Sequence, residues 1–138
     1  MTKYEDSLPL QLIRAREITM EYFRPILASN DITEQQWRVM RILDVKGEID
    51  FTTLSQESSI LSPSLTGIIN RLEKLEYVEK RKCAHDGRKT YIHLTDKAEH
   101  LVEQLRPQIE NQYVALKQRV GADKYAQLSQ LLNDLIDS

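Results

Sequence analysis

Five cations crowd into ten residues of this chain. Lys80, Arg81, Lys82, Arg88 and Lys89 share that stretch with one acid, Asp86, a local balance of +4 in a chain whose formal net charge is −2. Positive charge set against the balance of the whole chain is the footprint of a polyanion partner. The overall acidity argues against a general nucleic-acid coat protein. Just upstream, Ser62, Ser64, Thr66, Asn70, Arg71 and Lys74 supply hydroxyl, amide and cationic groups. Such groups hydrogen-bond phosphate oxygens and base edges. Catalysis is not expected, because no nucleophile–base pair, Gly-rich phosphate loop or ligand cluster stands out. Cys83, His85, His93 and His100 follow no zinc spacing, so neither metal nor cofactor is expected. Lys82 and Arg81 can lower the pKa of a neighbouring thiol, which leaves a redox role for Cys83 open.

The elements that must position these groups follow from the same stretch. Ser62 reads as an N-cap with Pro63 at the first helical position. Leu65, Ile68, Ile69, Leu72 and Leu75 recur at three- and four-residue steps and so share one face. Thr66, Gly67, Asn70 and Lys74 then lie on the opposite face, with Arg71 at the border. Residues 77–82 and 90–94 are β-prone, and Asp86-Gly87 marks the turn between them. A helix pinned by its apolar side can lie in a DNA major groove with this basic hairpin beside it.

Upstream, the apolar pattern of residues 8–27 predicts a helix that Pro25 ends or bends. Thr33 and Gln36 are spaced as a capping box, with Ile32 and Trp37 as a hydrophobic staple. Trp37, Met40 and Leu43 face inward, and Lys46-Gly47 closes the helix. Ile49-Asp50-Phe51 reads as extended, and Thr52 or Thr53 then caps a brief helix through Ser59. With the tight connection Ile60-Leu61, the pair of helices makes a helix-turn-helix. Thr95 caps a long helix with a bend at Pro107, Gly121 breaks it, and a last helix follows.

The expected fold is mainly α with a small β wing: a winged helix-turn-helix whose N- and C-terminal helices form a dimerisation domain. Residues 33–95 are the DNA-binding region, and 1–32 with 96–138 are the dimerisation helices. Their apolar stripes call for a second copy. A two-fold dimer sets two recognition helices about 34 Å apart, matching a pseudo-palindromic site in double-stranded DNA. No apolar run approaches the roughly 20 residues that span a bilayer, and the start, Met1-Thr2-Lys3-Tyr4-Glu5-Asp6, has no signal-peptide core. No membrane partner is expected. The single cysteine fits a reducing cytoplasm.

With those residues laid out, the chain resembles the MarR family of winged helix-turn-helix regulators over about residues 8–136. The matching stretches are Leu61-Ser62-Pro63-Ser64-Leu65-Thr66 and Leu72-Glu73-Lys74-Leu75-Glu76-Tyr77-Val78-Glu79-Lys80-Arg81. The wing follows as Asp86-Gly87-Arg88, and the exit as Leu94-Thr95-Asp96-Lys97-Ala98. Ala98 stands where the family often has glycine, and Gly67 offers no side chain at an outward position of the recognition helix. Upstream, Ala15-Arg16-Glu17, Phe23-Arg24-Pro25, Leu43 and the block Ile32-Thr33-Glu34-Gln35-Gln36-Trp37-Arg38-Val39-Met40-Arg41 are similar to the group that represses homoprotocatechuate-degradation operons.

The resemblance implies a dimeric repressor released from operator DNA by a small aromatic carboxylic acid. It assigns DNA contact to Ser62, Ser64, Thr66, Asn70, Arg71, Lys74, Lys82, Asp86, Arg88 and Lys89, with Asp86 orienting Arg88 toward the minor groove. It also implies an effector site where the first two helices meet. Arg14, Arg16, Arg38 and Arg41 are the candidates to clamp a carboxylate there through paired hydrogen bonds, with Trp37 and Phe23 as an aromatic wall. Ordinary intrahelical pairing, here of Arg14, Arg16 or Arg24 with Glu17 or Glu21, is the competing account, as is a purely structural Trp37. A MarR-type regulator of another phenolic or stress response is the alternative function. A winged-helix module that binds protein is the other, and the basic wing counts against it.

Overall fold

Thr33 sets the frame of the DNA-reading half in the computed structural model, which describes residues 3–138. Its hydroxyl accepts the Gln36 N–H at 3.1 Å, and the Gln36 side chain accepts the Thr33 N–H at 3.0 Å. This is the capping box expected from the sequence. It opens α3 (Glu34–Lys46), which Gly47 closes at φ 73°, a backbone conformation that costs glycine little. Met1 and Thr2 of the polar start lie outside the described residues.

The remaining helices are α1 (Leu8–Met20), α2 (Arg24–Ser29), α4 (Phe51–Ser58), α5 (Ser62–Lys74), α6 (Asp96–Val120) and α7 (Ala122–Ile136). Strands β1 (Ile49–Asp50), β2 (Val78–Lys82) and β3 (Thr90–Leu94) form one antiparallel sheet in the order β1-β3-β2. The chain is thus mainly α with a small sheet, as expected. No helix of the described residues is long and apolar enough to cross a membrane.

Four local expectations are corrected. The stretch 8–27 is not one helix: it breaks at residues 21–23, before Pro25, which sits in the first turn of α2, where a missing N–H costs nothing. Asp50, not Thr52 or Thr53, caps α4. Its carboxylate accepts both the N–H of Thr53 at 3.1 Å and its hydroxyl at 2.6 Å. The extended reading holds for Ile49 and Asp50, which form β1 with Ile49 opposite Ile92 and Asp50 opposite Tyr91, but Phe51 is already the first residue of α4. Ser62 is already the first residue of α5, and Leu61 holds the cap position without a side-chain bond. Thr95 does cap α6, accepting the Ala98 N–H at 3.2 Å, and α6 runs through Pro107.

The chain divides into two compact units, Leu27–Arg106 and a helical unit made of the residues up to Ile26 with Pro107–Ser138. In the first, Val39, Met40, Leu54, Leu65, Ile69, Leu72, Val78, Ile92, Ala98 and Val102 form one core. Ala98 and Val102 belong to α6, so this unit reaches past the 33–95 span drawn from the sequence. The C-terminal end of α5 is tied down twice: Lys97 Nζ donates to the Leu75 carbonyl at 2.9 Å, and the Thr95 hydroxyl to the Glu76 carbonyl at 2.7 Å. Glu76 adopts φ 64°, the left-handed turn that sends the chain from α5 into β2.

In the helical unit, Phe23, Ile109 and Leu116 are buried. Neither α1 nor α7 buries a residue. Leu8, Leu12, Ile13 and Ile18 on α1 and Leu128, Leu131, Leu135 and Ile136 on α7 are exposed large apolar side chains. Scattered apolar exposure is ordinary; two whole helical stripes are not.

Candidate nucleic-acid interface

Helix α5 is seated by Leu65, Ile69 and Leu72, all buried, and this fixes which residues face out. Ser62, Ser64, Thr66, Gly67, Asn70, Arg71 and Lys74 are all exposed. The Thr66 hydroxyl donates to the Ser62 carbonyl at 3.0 Å. The hydroxyls of Ser62 and Ser64 have no partner among the described residues, and they stand in the first turn, where backbone N–H groups are also free. Arg71 and Lys74 occupy the last turn, where cations complement the helix dipole.

Strand alternation divides the wing cations between two faces. Lys80 lies opposite Ile92 in the ladder, and Arg81 opposite Tyr91. Opposed residues share a face, so Lys80 projects to the side of the buried Ile92, where α5 packs. Its Nζ lies 2.9 Å from Asn70 Oδ1 and 3.3 Å from Glu73 Oε1. Arg81 points to the other face, stacks 4.8 Å over the Tyr91 ring and donates from Nε to Glu48 Oε1 at 2.8 Å. That bond, more than any other influence, holds the Glu48 carboxyl below its usual range and outweighs the cost of burial. His93 sits between two carboxylates, with Nδ1 at 3.1 Å from Glu48 Oε2 and Nε2 at 3.1 Å from Glu79 Oε2. Of the five cations, Lys80 and Arg81 are therefore occupied within the chain.

The other three are presented outward. Lys82, Arg88 and Lys89 are exposed, and neither Lys82 nor Lys89 makes an ion pair among the described residues. Asp86 accepts the Arg88 N–H at 3.0 Å and lies 3.6 Å from Arg88 Nε, while the Arg88 side chain is 96% exposed. The loop is closed by Cys83 N–H to the Lys89 carbonyl at 2.9 Å and Lys89 N–H to the Asp86 carbonyl at 3.0 Å. Between α5, the start of α4 and this hairpin runs a groove lined by Thr66, Asn70, Lys80, Arg88 and Lys89, with Asp50 its one acid. Such a surface offers donors and cations to a phosphate backbone and to base edges. Cys83 is half-buried, and no group of three His, Cys, Asp or Glu side chains among the described residues is arranged to hold a metal ion.

The effector candidates are spread over both units. In Leu27–Arg106, Arg38 donates to the Ser58 carbonyl at 2.9 Å and to Glu34 Oε1 at 2.6 Å, which ties α3 to the end of α4. Arg41 lies 6.0 Å over the ring of the half-buried Trp37 and only 3.9 Å from Asp44, whose Oδ2 takes a shorter bond of 2.9 Å from Arg106. In the helical unit, Arg14 and Arg16 are exposed, with Arg16 3.6 Å from Glu17. Glu17 is held bidentately by Arg24 at 3.0 and 3.1 Å. The Phe23 ring meets Tyr113 at 4.7 Å between centroids. Tyr113 was not anticipated, although its four-residue step from Ile109 placed it on the inward side of α6.

A polar helix face beside a basic hairpin, on a helix-turn-helix frame, defines a winged helix-turn-helix protein. The MarR family model matches residues 32–90. The chain is 43% identical over 131 residues to the homoprotocatechuate degradative operon repressor of Escherichia coli, covering 95% of this chain and 88% of that one. This chain belongs to the MarR family. Among solved structures, the transcriptional regulator PA4135 superimposes with a TM-score of 0.91 at 41% identity, covering 95% of this chain and 96% of that one. NadR in complex with 4-hydroxyphenylacetate does so at 0.83 and 39%, covering 98% and 96%.

Proposed function

We propose that this chain is a dimeric transcriptional repressor that leaves its operator DNA when a phenolic acid binds. The observation that carries the DNA-binding part is the outward face of α5 flanked by the exposed cations Lys82, Arg88 and Lys89, in a chain of net charge −2. The regulatory part is supported by two relatives together: one represses a homoprotocatechuate degradative operon, and the other was solved with 4-hydroxyphenylacetate. Both names point to phenylacetates bearing ring hydroxyls. A cytoplasmic setting follows from that role.

The two exposed apolar stripes of α1 and α7 are the surface a second copy would cover, so the N- and C-terminal helices serve dimerisation. For the DNA, Ser62, Ser64, Thr66, Asn70, Arg71 and Lys74 come from the recognition helix, and Lys82, Asp86, Arg88 and Lys89 from the wing. For the effector, Arg41 is the strongest candidate among Arg14, Arg16, Arg38 and Arg41. Its guanidinium lies beside the Trp37 ring with only a long contact to Asp44, so a carboxylate and an aromatic ring can be met by adjacent groups. Arg38 is already committed to Ser58 and Glu34.

Fluorescence anisotropy on a labelled duplex from upstream of the gene tests this reading. Addition of 4-hydroxyphenylacetate or 3,4-dihydroxyphenylacetate should weaken binding by about 5- to 150-fold, the range of ordinary allosteric coupling. By reciprocity the duplex should weaken effector binding by the same factor. Binding that ignores every phenolic acid would remove the effector part.

A further inference from the structure

Lys80 and Asn70 are joined in a way that bears on which base the recognition helix reads. The Lys80 ammonium has donors only, so the Asn70 atom 2.9 Å away is its carbonyl oxygen Oδ1, and the amide Nδ2 is turned away from the lysine. The lysine is itself fixed. It stands mid-ladder opposite the buried Ile92, and Glu73, one turn along α5 from Asn70, accepts from the same ammonium at 3.3 Å. Asn70 is exposed on the outward face and lines the groove between helix and wing.

We propose that Lys80 is a positioning residue for base readout: by holding Oδ1 of Asn70 it presents that amide to the operator as a donor. The inference rests on the DNA-binding reading above and adds a specificity to it. A free asparagine reads adenine bidentately, donating to N7 and accepting from N6. With its carbonyl turned to the lysine and Nδ2 turned away, the amide leads with its donor and is matched instead to an edge that offers acceptors alone. In the major groove guanine offers two such acceptors, N7 and O6, against the single O4 of thymine, so guanine is the better match. Lys80 is thereby a determinant of sequence preference without touching a base, and its charge is spent on Glu73 and Asn70.

Binding-site selection from randomised duplexes, with the wild type and Asn70→Ala, Lys80→Met and Lys80→Arg variants of confirmed fold, tests the proposal. The wild type should prefer guanine at one position per half-site, and Asn70→Ala should erase that preference. Lys80→Met, close in shape but without a donor, should move it toward adenine and weaken the guanine-bearing site about tenfold, while the salt slope stays unchanged. Lys80→Arg should restore guanine. In an Asn70→Ala background Lys80→Met should alter no base preference. If Lys80→Met weakens all duplexes equally and lowers the salt slope by about one, Lys80 is a phosphate contact and the proposal is overturned. It is equally overturned if Asn70→Ala leaves every base preference intact. A wild type that binds no duplex overturns the underlying reading instead.

Discussion

Asp86 fixes the backbone of Arg88 and leaves its guanidinium in solvent: one carboxylate oxygen lies 3.0 Å from the Arg88 N–H and 3.6 Å from its Nε. The bond holds the tip of the wing in one shape, while the side chain, 96% exposed, remains available. Narrow minor grooves concentrate negative potential and attract arginine in this setting. Arg88→Ala should lower the slope of log affinity against log salt by about one. Asp86→Ala, which frees the loop, should weaken binding, whereas Asp86→Asn keeps an acceptor and should retain most of it. An unchanged salt slope for Arg88→Ala would take Arg88 out of the interface.

Asp50 gives a prediction in stability and pH. Bonds from the Thr53 hydroxyl, first, and from the Thr53 N–H hold its carboxyl below the usual range. A depressed folded value means that the ionised carboxylate stabilises the fold. The contribution is complete above the ordinary aspartate value of about 4 and is lost as pH falls through the lower folded value. Asp50→Ala should cost about 1 kcal/mol near neutrality, as for other N-caps. In thermal melts the gap to wild type should close in strong acid. A gap that is constant down to pH 2 would contradict the cap.

These two sites also show what the sequence discloses. Asp86-Gly87 and the Thr33–Gln36 box are local signals, complete within four residues, and both formed as read. Asp50 is a better cap by residue type than Thr52 or Thr53, and it is hidden by reading Ile49-Asp50-Phe51 as extended throughout, which starts the helix too late. Only the pairing of β1 with β3 decides that the helix starts at Phe51. The fate of Arg81 was beyond local reading too: its partner Glu48 is 33 residues away. Even so, strand alternation could have separated it from Lys80 and Lys82. The family resemblance carried the functional assignments further than residue spacing alone could.

The exposed stripes of α1 and α7 predict separable dimerisation. Leu131 is 66% exposed in the single chain, so Leu131→Glu should leave the protomer's circular dichroism unchanged while sedimentation velocity reports a monomer. Leu12→Glu should behave alike. A Leu131→Glu variant that remains a dimer at micromolar concentration would place the partner surface elsewhere.

Arg38 and Arg41 should part company on substitution. Arg38→Ala removes the donor to the Ser58 carbonyl and should cost about 1 kcal/mol of stability with little change in effector sensitivity beyond that. Arg41→Ala should leave the melting temperature near wild type and raise the 4-hydroxyphenylacetate concentration for half-release from DNA about tenfold or more. Arg16→Ala and Arg14→Ala complete the comparison. Wild-type release by Arg41→Ala would rule that residue out.

Whether the molecule works as a matched pair on one duplex is decided by titrating the purified chain onto its own upstream promoter fragment, with mass-resolved detection, at 50 and 200 mM salt. Two chains per pseudo-palindromic site, with affinity falling about a hundredfold or more between the two salts, is the result expected. A lone protomer that ignores the fragment even in dilute salt would contradict it.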